Sequence, residues 1–286
     1  MTTSTAASPR ETAGAARSAH VPHLVALDVD GTTIDHDGTM TDAVREAVAD
    51  VVAAGHQVVI ATGRAVVATL PILAALDLTS GYAVCSNGAV TVRLDPGLAD
   101  GYEVVEAVTF DPEPVVTMLH AEWPDAVIAV EELGQGFKLS GDFPEGELAG
   151  DLRVVPWEEL IAHPVTRVTF RSRNGTSEDF LRLVERVGLH GVSYAVGYTA
   201  WLDLAPEGVS KASGLEAVRR LLAVEPAHTV AVGDQRNDLE MLHWAARGVA
   251  MGNAPEAVQA VADETTGHVE QDGLVPVLRS LPGLDG

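Results

Sequence analysis

Cysteine is almost absent: the chain has one, Cys85, which cannot form an internal disulfide bond. Nothing in the cysteine content therefore requires an oxidising compartment, and we expect a cytoplasmic protein. Long apolar runs are also missing, since none reaches the roughly 20 residues that a membrane-spanning helix needs. Residues 1–20 are rich in Ala, Ser, Thr and Gly and contain no apolar stretch that could form the core of a signal peptide. We expect them to form a disordered tail.

Positive charge is scarce, because 18 Lys and Arg stand against 41 Asp and Glu, for a formal net charge of -23. Such a surface repels nucleic acid and anionic membranes, so we expect neither as a partner. An anionic substrate must then be met by a metal ion or by a few well-placed cations. With 286 residues, 47% of them hydrophobic, the chain suffices for one large or two moderate folded domains. The oligomeric state is left open.

Two parts of the chain alternate short apolar runs with stretches of helical period. The predicted strands are residues 24–30, 57–61, 82–85, 228–232 and 248–251. This alternation predicts an α/β fold with a Rossmann-like parallel sheet covered by helices on both faces. The segment between, residues 90–206, has shorter strands separated by Gly, Pro and Asp. We interpret it as an α+β cap domain inserted into a core domain made of residues 21–89 and 207–286.

Two carboxylates end the first predicted strand. Asp28 and Asp30 lie two residues apart, so strand alternation sends both side chains to the same side. Ligands of open α/β sheets bind beyond the carboxyl ends of the strands, which favours a functional site here. Solvated turn aspartates next to Gly31 would give the same local pattern, and this segment alone leaves both readings open.

Other strand ends and one helix start add groups that fit an anion. Thr62, Gly63 and Arg64 offer a hydroxyl and helix N-terminal amides, although a threonine before a helix is often only a cap. Lys211 opens a helix, where a cation is disfavoured unless a carboxylate or a bound anion lies nearby.

Acidic and amide side chains follow the strand at residues 228–232. Asp234, Asn237 and Asp238 lie there, and an acidic residue that opens a helix, as Asp238 does, is equally often a cap. Asn87 belongs to an Asn-Gly pair, which indicates a turn first and a substrate contact second. Cys85 has no basic neighbour in sequence, so we expect a small buried residue and not a nucleophile.

Taken together, the segments DVDGT, TGR, GVSK and GDQRND resemble, in order and spacing, the four motifs of the haloacid dehalogenase-like superfamily. The large insertion between the second and third motifs is similar to the Cof-type branch, whose caps are α+β. The resemblance covers nearly the whole chain after residue 21. Ala212, Gln235 and Arg236 depart from the residues most frequent at their positions, and Arg236 would alter the rim of the site.

The resemblance implies a magnesium-dependent phosphoric monoester hydrolase. Asp28 would be the nucleophile and carry an aspartyl-phosphate intermediate. Asp30 would act as general acid on the leaving oxygen and then as general base on water. The implied Mg²⁺ ligands are Asp28, the backbone carbonyl of Asp30 and Asp234. Asp238 would either bind the ion itself or hold one of these ligands in place. The implied phosphate-binding residues are Thr62, Gly63, Lys211 and Asn237.

The cap would select the substrate, a small phosphorylated metabolite such as a sugar phosphate. In the segment TRVTFRSR, strand alternation puts Arg167, Thr169, Arg171 and Arg173 on one face. Arginines in such a row are most often solvated surface, and the competing hypothesis is that this face looks onto the active site. The candidate substrate contacts are Asn87, Arg64, Arg167 and Arg171.

Two other functions remain open at this stage. A phosphotransferase or phosphomutase of the same fold would use an alcohol in place of water as the acceptor. A non-catalytic phosphate-binding regulator would keep the fold alone. One residue set argues against the regulator, since a binder does not need both a nucleophile and an acid. Its members are Asp28, Asp30, Thr62, Lys211 and Asp234.

Overall fold

The computed structural model describes residues 21–172, 175–196 and 201–284. The expected tail at residues 1–20, as well as Arg173, lies outside the described residues. The strands are β1 (Leu24–Leu27), β2 (Gln57–Ala61), β3 (Gly81–Cys85), β4 (Val90–Leu94), β5 (Tyr102–Ala107), β6 (Val127–Glu132), β7 (Gly136–Leu139), β8 (Asp151–Val154), β9 (Val168–Arg171), β10 (Val192–Val196), β11 (Trp201–Pro206), β12 (Thr229–Gly233), β13 (Arg247–Ala250) and β14 (Glu264–Thr265).

The α-helices are α1 (Asp42–Ala53), α2 (Val66–Ala75), α3 (Glu113–Glu122), α4 (Trp157–Leu160), α5 (Ser177–Val187), α6 (Lys211–Leu221), α7 (Leu239–Trp244), α8 (Glu256–Gln259) and α9 (Leu274–Arg279). Short 3₁₀ turns are formed by Ser86–Gly88, Pro226–His228, Arg236–Asp238 and Val269–Gln271. No helix among the described residues is both long enough and apolar enough to cross a membrane.

The first sheet has the strand order β14-β13-β12-β1-β2-β3-β4-β5. Strands β14 to β3 in this order are parallel to their neighbours, and β4 and β5 are antiparallel additions. The central strand β1 is buried along its whole length because both faces are covered: Val25 and Leu27 face one apolar cluster, and Leu24 and Ala26 face the other. The predicted Rossmann-like parallel sheet is confirmed.

The second sheet has the order β10-β11-β9-β6-β7-β8 and is mostly antiparallel. One of its faces packs against α3 and α5, with Val168 and Phe170 of β9 buried against Val116 and Phe180 of the helices. The alternation predicted for β9 is thereby confirmed. The opposite face carries polar side chains, including Arg167, toward the first sheet. This sheet with its helices is the expected α+β unit inserted into the first fold.

The boundary between the two sheets differs from the sequence-based expectation at residue 90. Strands β4 and β5 belong to the first sheet, so the second sheet and its helices begin after Ala107. A hairpin that extends an existing sheet has the same alternation of apolar and polar residues as a hairpin that begins a new sheet. Only the pairing of β4 with β3 shows that this hairpin belongs to the first sheet. At the other end, β11 stops at Pro206.

Candidate active site

The site forms where neighbouring parallel strands β12, β1 and β2 end. Asp28 follows β1, Thr62 follows β2 and Asp234 follows β12 directly. Because β1 lies between the other two strands, these three side chains converge at one edge of the sheet, as the strand-end rule predicts.

A buried lysine joins two of the carboxylates. Lys211 Nζ donates to Asp28 Oδ1 at 2.5 Å and to Asp238 Oδ1 at 2.7 Å. The side chains of Lys211 and Asp28 are only 1% and 6% exposed. Lys211 is the first residue of α6, whose N-terminus is capped by the Ser210 hydroxyl. The two carboxylates are the local partners that a cation at a helix start requires.

Burial and neighbouring charge perturb both partners. Burial raises the pKa of Asp28 well above its ordinary value, and the charges of Asp238 and Asp234 raise it further, while Lys211 opposes them. Burial alone would lower the pKa of Lys211, but Asp238 and Asp28 outweigh it and raise that pKa. Lys211 is therefore charged, and the ionised form of Asp28 is destabilised by repulsion from Asp238 and Asp234.

Asp238 serves as a cap and as a site residue at once. Its Oδ2 accepts hydrogen bonds from the backbone N–H groups of Asp234 and Gln235 at 2.9 and 2.8 Å, while its Oδ1 binds Lys211. The capping role that the sequence allowed is therefore present, and the contact with Lys211 keeps Asp238 a candidate site residue. The Gln235 side chain also donates to Asp234 Oδ2 at 3.0 Å.

Two residues that sequence reasoning missed hold Asp234 in place. Thr32 Oγ1 donates to Asp234 Oδ1 at 3.1 Å, and Asn253 Nδ2 donates to Asp234 Oδ2 at 3.2 Å. Asn253 also donates to the backbone oxygen of Gly31 at 2.8 Å. Asn253 comes soon after β13, so the strand-end rule applied to that strand would have found it.

The acidic cluster fits a divalent cation. Asp28, Asp234 and Asp238 each offer an oxygen atom, and these atoms lie within 4.8 Å of one another. Counted by themselves, three buried carboxylates and the single ammonium of Lys211 carry a formal charge of -2, which is costly to bury. Oxygen ligands and a double negative charge suit a hard divalent ion such as Mg²⁺.

Asp30 lies apart from this cluster. Its carboxylate forms a two-point ion pair with Arg64, from Nε at 2.9 Å and Nη2 at 2.6 Å, and its side chain is 58% exposed. The hydrogen bonds that Arg64 donates to Asp30 raise the pKa of Arg64 despite partial burial. Asp30 thus faces the open side of the site, while Asp28 lies at its base.

Two glycines allow backbones to approach the site closely. Gly31 has φ +80°, and a Cβ there would lie 2.4 Å from Asp234 Oδ2. A Cβ on Gly88 would lie 2.0 Å from the backbone oxygen of Ser210, so the turn after β3 packs directly against the start of α6. Glycine at these positions lets Asp234 and Lys211 come as near to Asp28 as they do.

The predicted phosphate-binding residues fall into two groups. Thr62 is buried, and its hydroxyl accepts from the backbone N–H of Arg64 at 3.1 Å in the turn before α2, whose N-cap is Ala65. Asn237 Nδ2 donates to Asn87 Oδ1 at 2.9 Å, and Asn87 has φ 54° in its tight turn. Gly63 lies beside Asn87, which a Cβ at Gly63 would approach to 3.0 Å.

A cavity of about 580 Å³ separates the two sheets above the cluster. Asp28, Asp30 and Arg64 line it from the first sheet, and Arg167 is among the residues that line it from the second. Arg167 is buried and not solvated surface. Arg171 is not among the lining residues and instead pairs with one of them, Glu147, at 2.7 Å. The single cysteine, Cys85, is buried, and burial raises its pKa to about 12, which fits the expectation that it is not a nucleophile.

Comparisons with known proteins agree with this geometry. The sequence matches the family model described as haloacid dehalogenase-like hydrolase over residues 25–119 and 156–278. 5-amino-6-(5-phospho-D-ribitylamino)uracil phosphatase YitU of Bacillus subtilis is 28% identical over 270 residues, which cover 90% of this chain and 97% of the relative. Pyridoxal phosphate phosphatase YbhA of Escherichia coli is 29% identical over 280 residues, which cover 87% of this chain and 96% of the relative.

A solved structure shows the same fold. BT1666 of Bacteroides thetaiotaomicron, studied among phosphatases of the haloalkanoate enzyme superfamily, is 29% identical and superposes with a TM-score of 0.74 over 94% of this chain and 98% of that one. Since the family model covers most of the sequence, the chain belongs to the haloacid dehalogenase-like hydrolases. Within them it is a phosphatase of the Cof type, that is, a phosphoric monoester hydrolase, as the four motifs predicted.

Proposed function

We propose that this protein is a magnesium-dependent phosphatase that hydrolyses a small phosphomonoester through an aspartyl-phosphate on Asp28. The observation that carries the proposal is the buried Asp28 carboxylate, bound to Lys211 at the base of the cavity and surrounded by Asp234 and Asp238. The bond from Lys211 fixes Oδ1, and no described residue donates to Oδ2. Oδ2 is therefore the oxygen that attacks phosphorus.

Magnesium would be held by Asp28 and Asp234, with the backbone carbonyl of Asp30 and with Asp238 as a ligand or in support of one. When bound, the ion would offset the repulsion between the Asp28 carboxylate and the phosphate dianion. Lys211 supplies further positive charge at the same point. Thr62 and the N–H groups that follow β2 would bind phosphoryl oxygens.

Asp30 supplies the proton transfers in this proposal. Its side chain lines the cavity, and the Arg64 ion pair positions it on the open side, opposite the buried cluster. With the Arg64 ion pair opened, a protonated Asp30 would give its proton to the leaving oxygen, and the carboxylate that results would take one from the water that attacks the phospho-aspartate. Such assistance contributes about 10²- to 10⁴-fold, mostly for poor leaving groups.

A small metabolite fits the size of the cavity. The cavity of about 580 Å³ lies within the range of small-molecule pockets and is too small for a folded protein substrate. Relatives carry the names of phosphatases for small phosphorylated metabolites, namely pyridoxal phosphate and a phosphoribitylamino-uracil. We therefore propose a substrate of this size.

Hydrolysis of p-nitrophenyl phosphate tests the proposal. We expect turnover that requires Mg²⁺, stops with EDTA and is abolished in Asp28→Asn, which is nearly isosteric. Asp37→Asn is the matched control, because Asp37 is an exposed aspartate in the loop after β1 and should keep full activity. Full turnover in EDTA, or an active Asp28→Asn variant, would contradict the mechanism.

A further inference from the structure

The cavity wall formed by the second sheet mixes aromatic and charged side chains. Phe137, Trp201, Arg167 and Asp203 line it, together with Glu147. The phosphoryl group must sit at the opposite end, beside Asp28, so this wall faces the remainder of the substrate. Its charge therefore decides which leaving groups are accepted.

Three arginines, the cavity-lining Arg64 and Arg167 and the neighbouring Arg171, are each bound by a carboxylate at two points. Arg167 donates to Asp203 from Nε and Nη2, both at 2.9 Å. Arg171 donates to both oxygens of Glu147 at 2.7 and 2.8 Å, and its Nη1 binds the backbone oxygen of Ser172 at 2.5 Å. On the other side of the cavity, Arg64 binds Asp30 in the same way. These arginines are neutralised within the protein.

The Arg167–Asp203 pair is the least able to open for a ligand. The two side chains are 7% and 11% exposed, and Thr169 Oγ1 donates to Asp203 Oδ1 at 2.6 Å. If Arg167 turned to a substrate anion, the buried Asp203 carboxylate would lose its countercharge. Arg167 also lies over the rings of Phe137 and Trp201, with centroid distances of 6.0 and 5.7 Å, which holds it further in place.

A second anion on the substrate would consequently meet no unpaired cation among the described residues of this wall. It would instead approach the carboxylates of Asp203 and Glu147 in a protein of net charge -23. An uncharged polar body could contact the half-buried Trp201 and accept or donate hydrogen bonds without separating any ion pair.

We propose that Asp203, through its hold on Arg167, makes the cavity select phosphomonoesters whose leaving group is uncharged and reject those that carry a second anionic group. This inference rests on the proposed phosphatase function and names its substrate class. Asp203 acts here as a specificity-determining residue and takes no part in the transfer of the phosphoryl group.

A matched pair of esters tests the selection. Glycerol phosphate and phosphoglycerate have nearly the same size and differ in that a hydroxymethyl group is replaced by a carboxylate. We expect the wild-type kcat/KM to favour glycerol phosphate by on the order of 10-fold or more, mainly through KM. In Asp203→Asn, which frees the charge of Arg167, the ratio should fall by a similar factor, while activity on p-nitrophenyl phosphate changes little.

Glu132→Gln is the control variant, since it removes one acidic charge from the same sheet at a residue that binds Arg153 outside the cavity. It should leave the ratio unchanged. A wild-type preference for phosphoglycerate, or an Asp203→Asn ratio equal to that of Glu132→Gln, would overturn the inference and leave the phosphatase function standing. If Asp203→Asn does not fold, the wild-type ratio decides.

A failure of the proposed function has a different signature. If the wild-type protein hydrolyses none of the esters with Mg²⁺, the phosphatase proposal fails. The same two compounds are then compared as ligands by calorimetry. Tighter binding of glycerol phosphate supports the selection by the cavity, and equal or reversed affinities overturn it.

Discussion

Replacing Asp234 by Asn should stabilise the metal-free protein, although it removes a buried, hydrogen-bonded residue. The oxygen atoms of Asp28, Asp234 and Asp238 lie within 4.8 Å of one another. At that separation, with an effective dielectric constant of about 20, one like-charge pair costs about 3 kcal/mol. Asp234 faces the carboxylates of Asp28 and Asp238, and the ammonium of Lys211 offsets about one of these two repulsions.

The substitution also loses hydrogen bonds. The amide group introduced by Asp234→Asn keeps an oxygen for Thr32 but loses the acceptor that binds Gln235 and Asn253, at a cost of about 1 to 2 kcal/mol. Subtracting the cost of the lost hydrogen bonds from the relieved repulsion leaves a gain of about 1 to 2 kcal/mol in the free energy of unfolding without metal. With Mg²⁺ at about 100 times its Kd, the wild-type protein gains about 2.7 kcal/mol and the variant, with one ligand fewer, gains less.

Urea unfolding followed by circular dichroism, in EDTA and in Mg²⁺, measures both effects. We expect Asp234→Asn to be the more stable protein in EDTA and the wild-type protein to be the more stable in Mg²⁺. The exposed substitution Asp37→Asn should follow the wild type in both buffers. A variant that is less stable than the wild type in EDTA, with a wild-type protein that does not respond to Mg²⁺, would refute the reasoning.

Two further predictions concern a buried carboxylate and a glycine. Glu131 is buried between the sheets, where burial raises its pKa above 4.5, and Ser86 and Thr166 donate to its Oε2. The wild-type protein therefore loses stability as the pH rises from 4.5 through the raised pKa of Glu131. Glu131→Gln does not titrate, so its stability relative to the wild type should increase over the same range. A stability difference that stays constant between pH 4 and 8 would contradict this prediction. Gly31→Ala should cost about 1 to 3 kcal/mol in backbone strain and, by displacing Asp234, raise the Mg²⁺ concentration needed for half-maximal activity. Gly38→Ala has the same positive φ with open space around it, so it should share the strain and keep the Mg²⁺ dependence; equal Mg²⁺ requirements in the two variants would count against the account.

Local patterns predicted the core of the fold because its strands are short, apolar and bounded by turn residues. The runs at residues 24–30 and 57–61 became β1 and β2, although the first strand ends at Leu27, three residues early, because the chain turns at Gly31. Asp28 and Asp234 could be placed together from sequence, since the strand-end rule converts a position along the chain into a position in space.

What the sequence did not predict depends on contacts between distant residues. Asp203 and Arg167 are separated by 36 positions and meet only because β11 pairs with β9. Glu147, which neutralises Arg171, lies in a loop without any local signal. The sequence therefore predicted a local concentration of positive charge on the cap strand, whereas the structure pairs Arg167 and Arg171 with carboxylates.

The most direct test of the central claim, that Asp28 attacks phosphorus, is a rapid-quench experiment on the Asp30→Asn variant with p-nitrophenyl phosphate. This leaving group needs no proton, so the phospho-aspartate should form quickly, while its breakdown, which needs Asp30 as a base, is slowed. We predict a burst of about one p-nitrophenol per enzyme molecule and, by mass spectrometry of the quenched protein, a phosphoryl group on Asp28. Turnover without a burst, together with a phosphoryl group on another residue or on none, would contradict it.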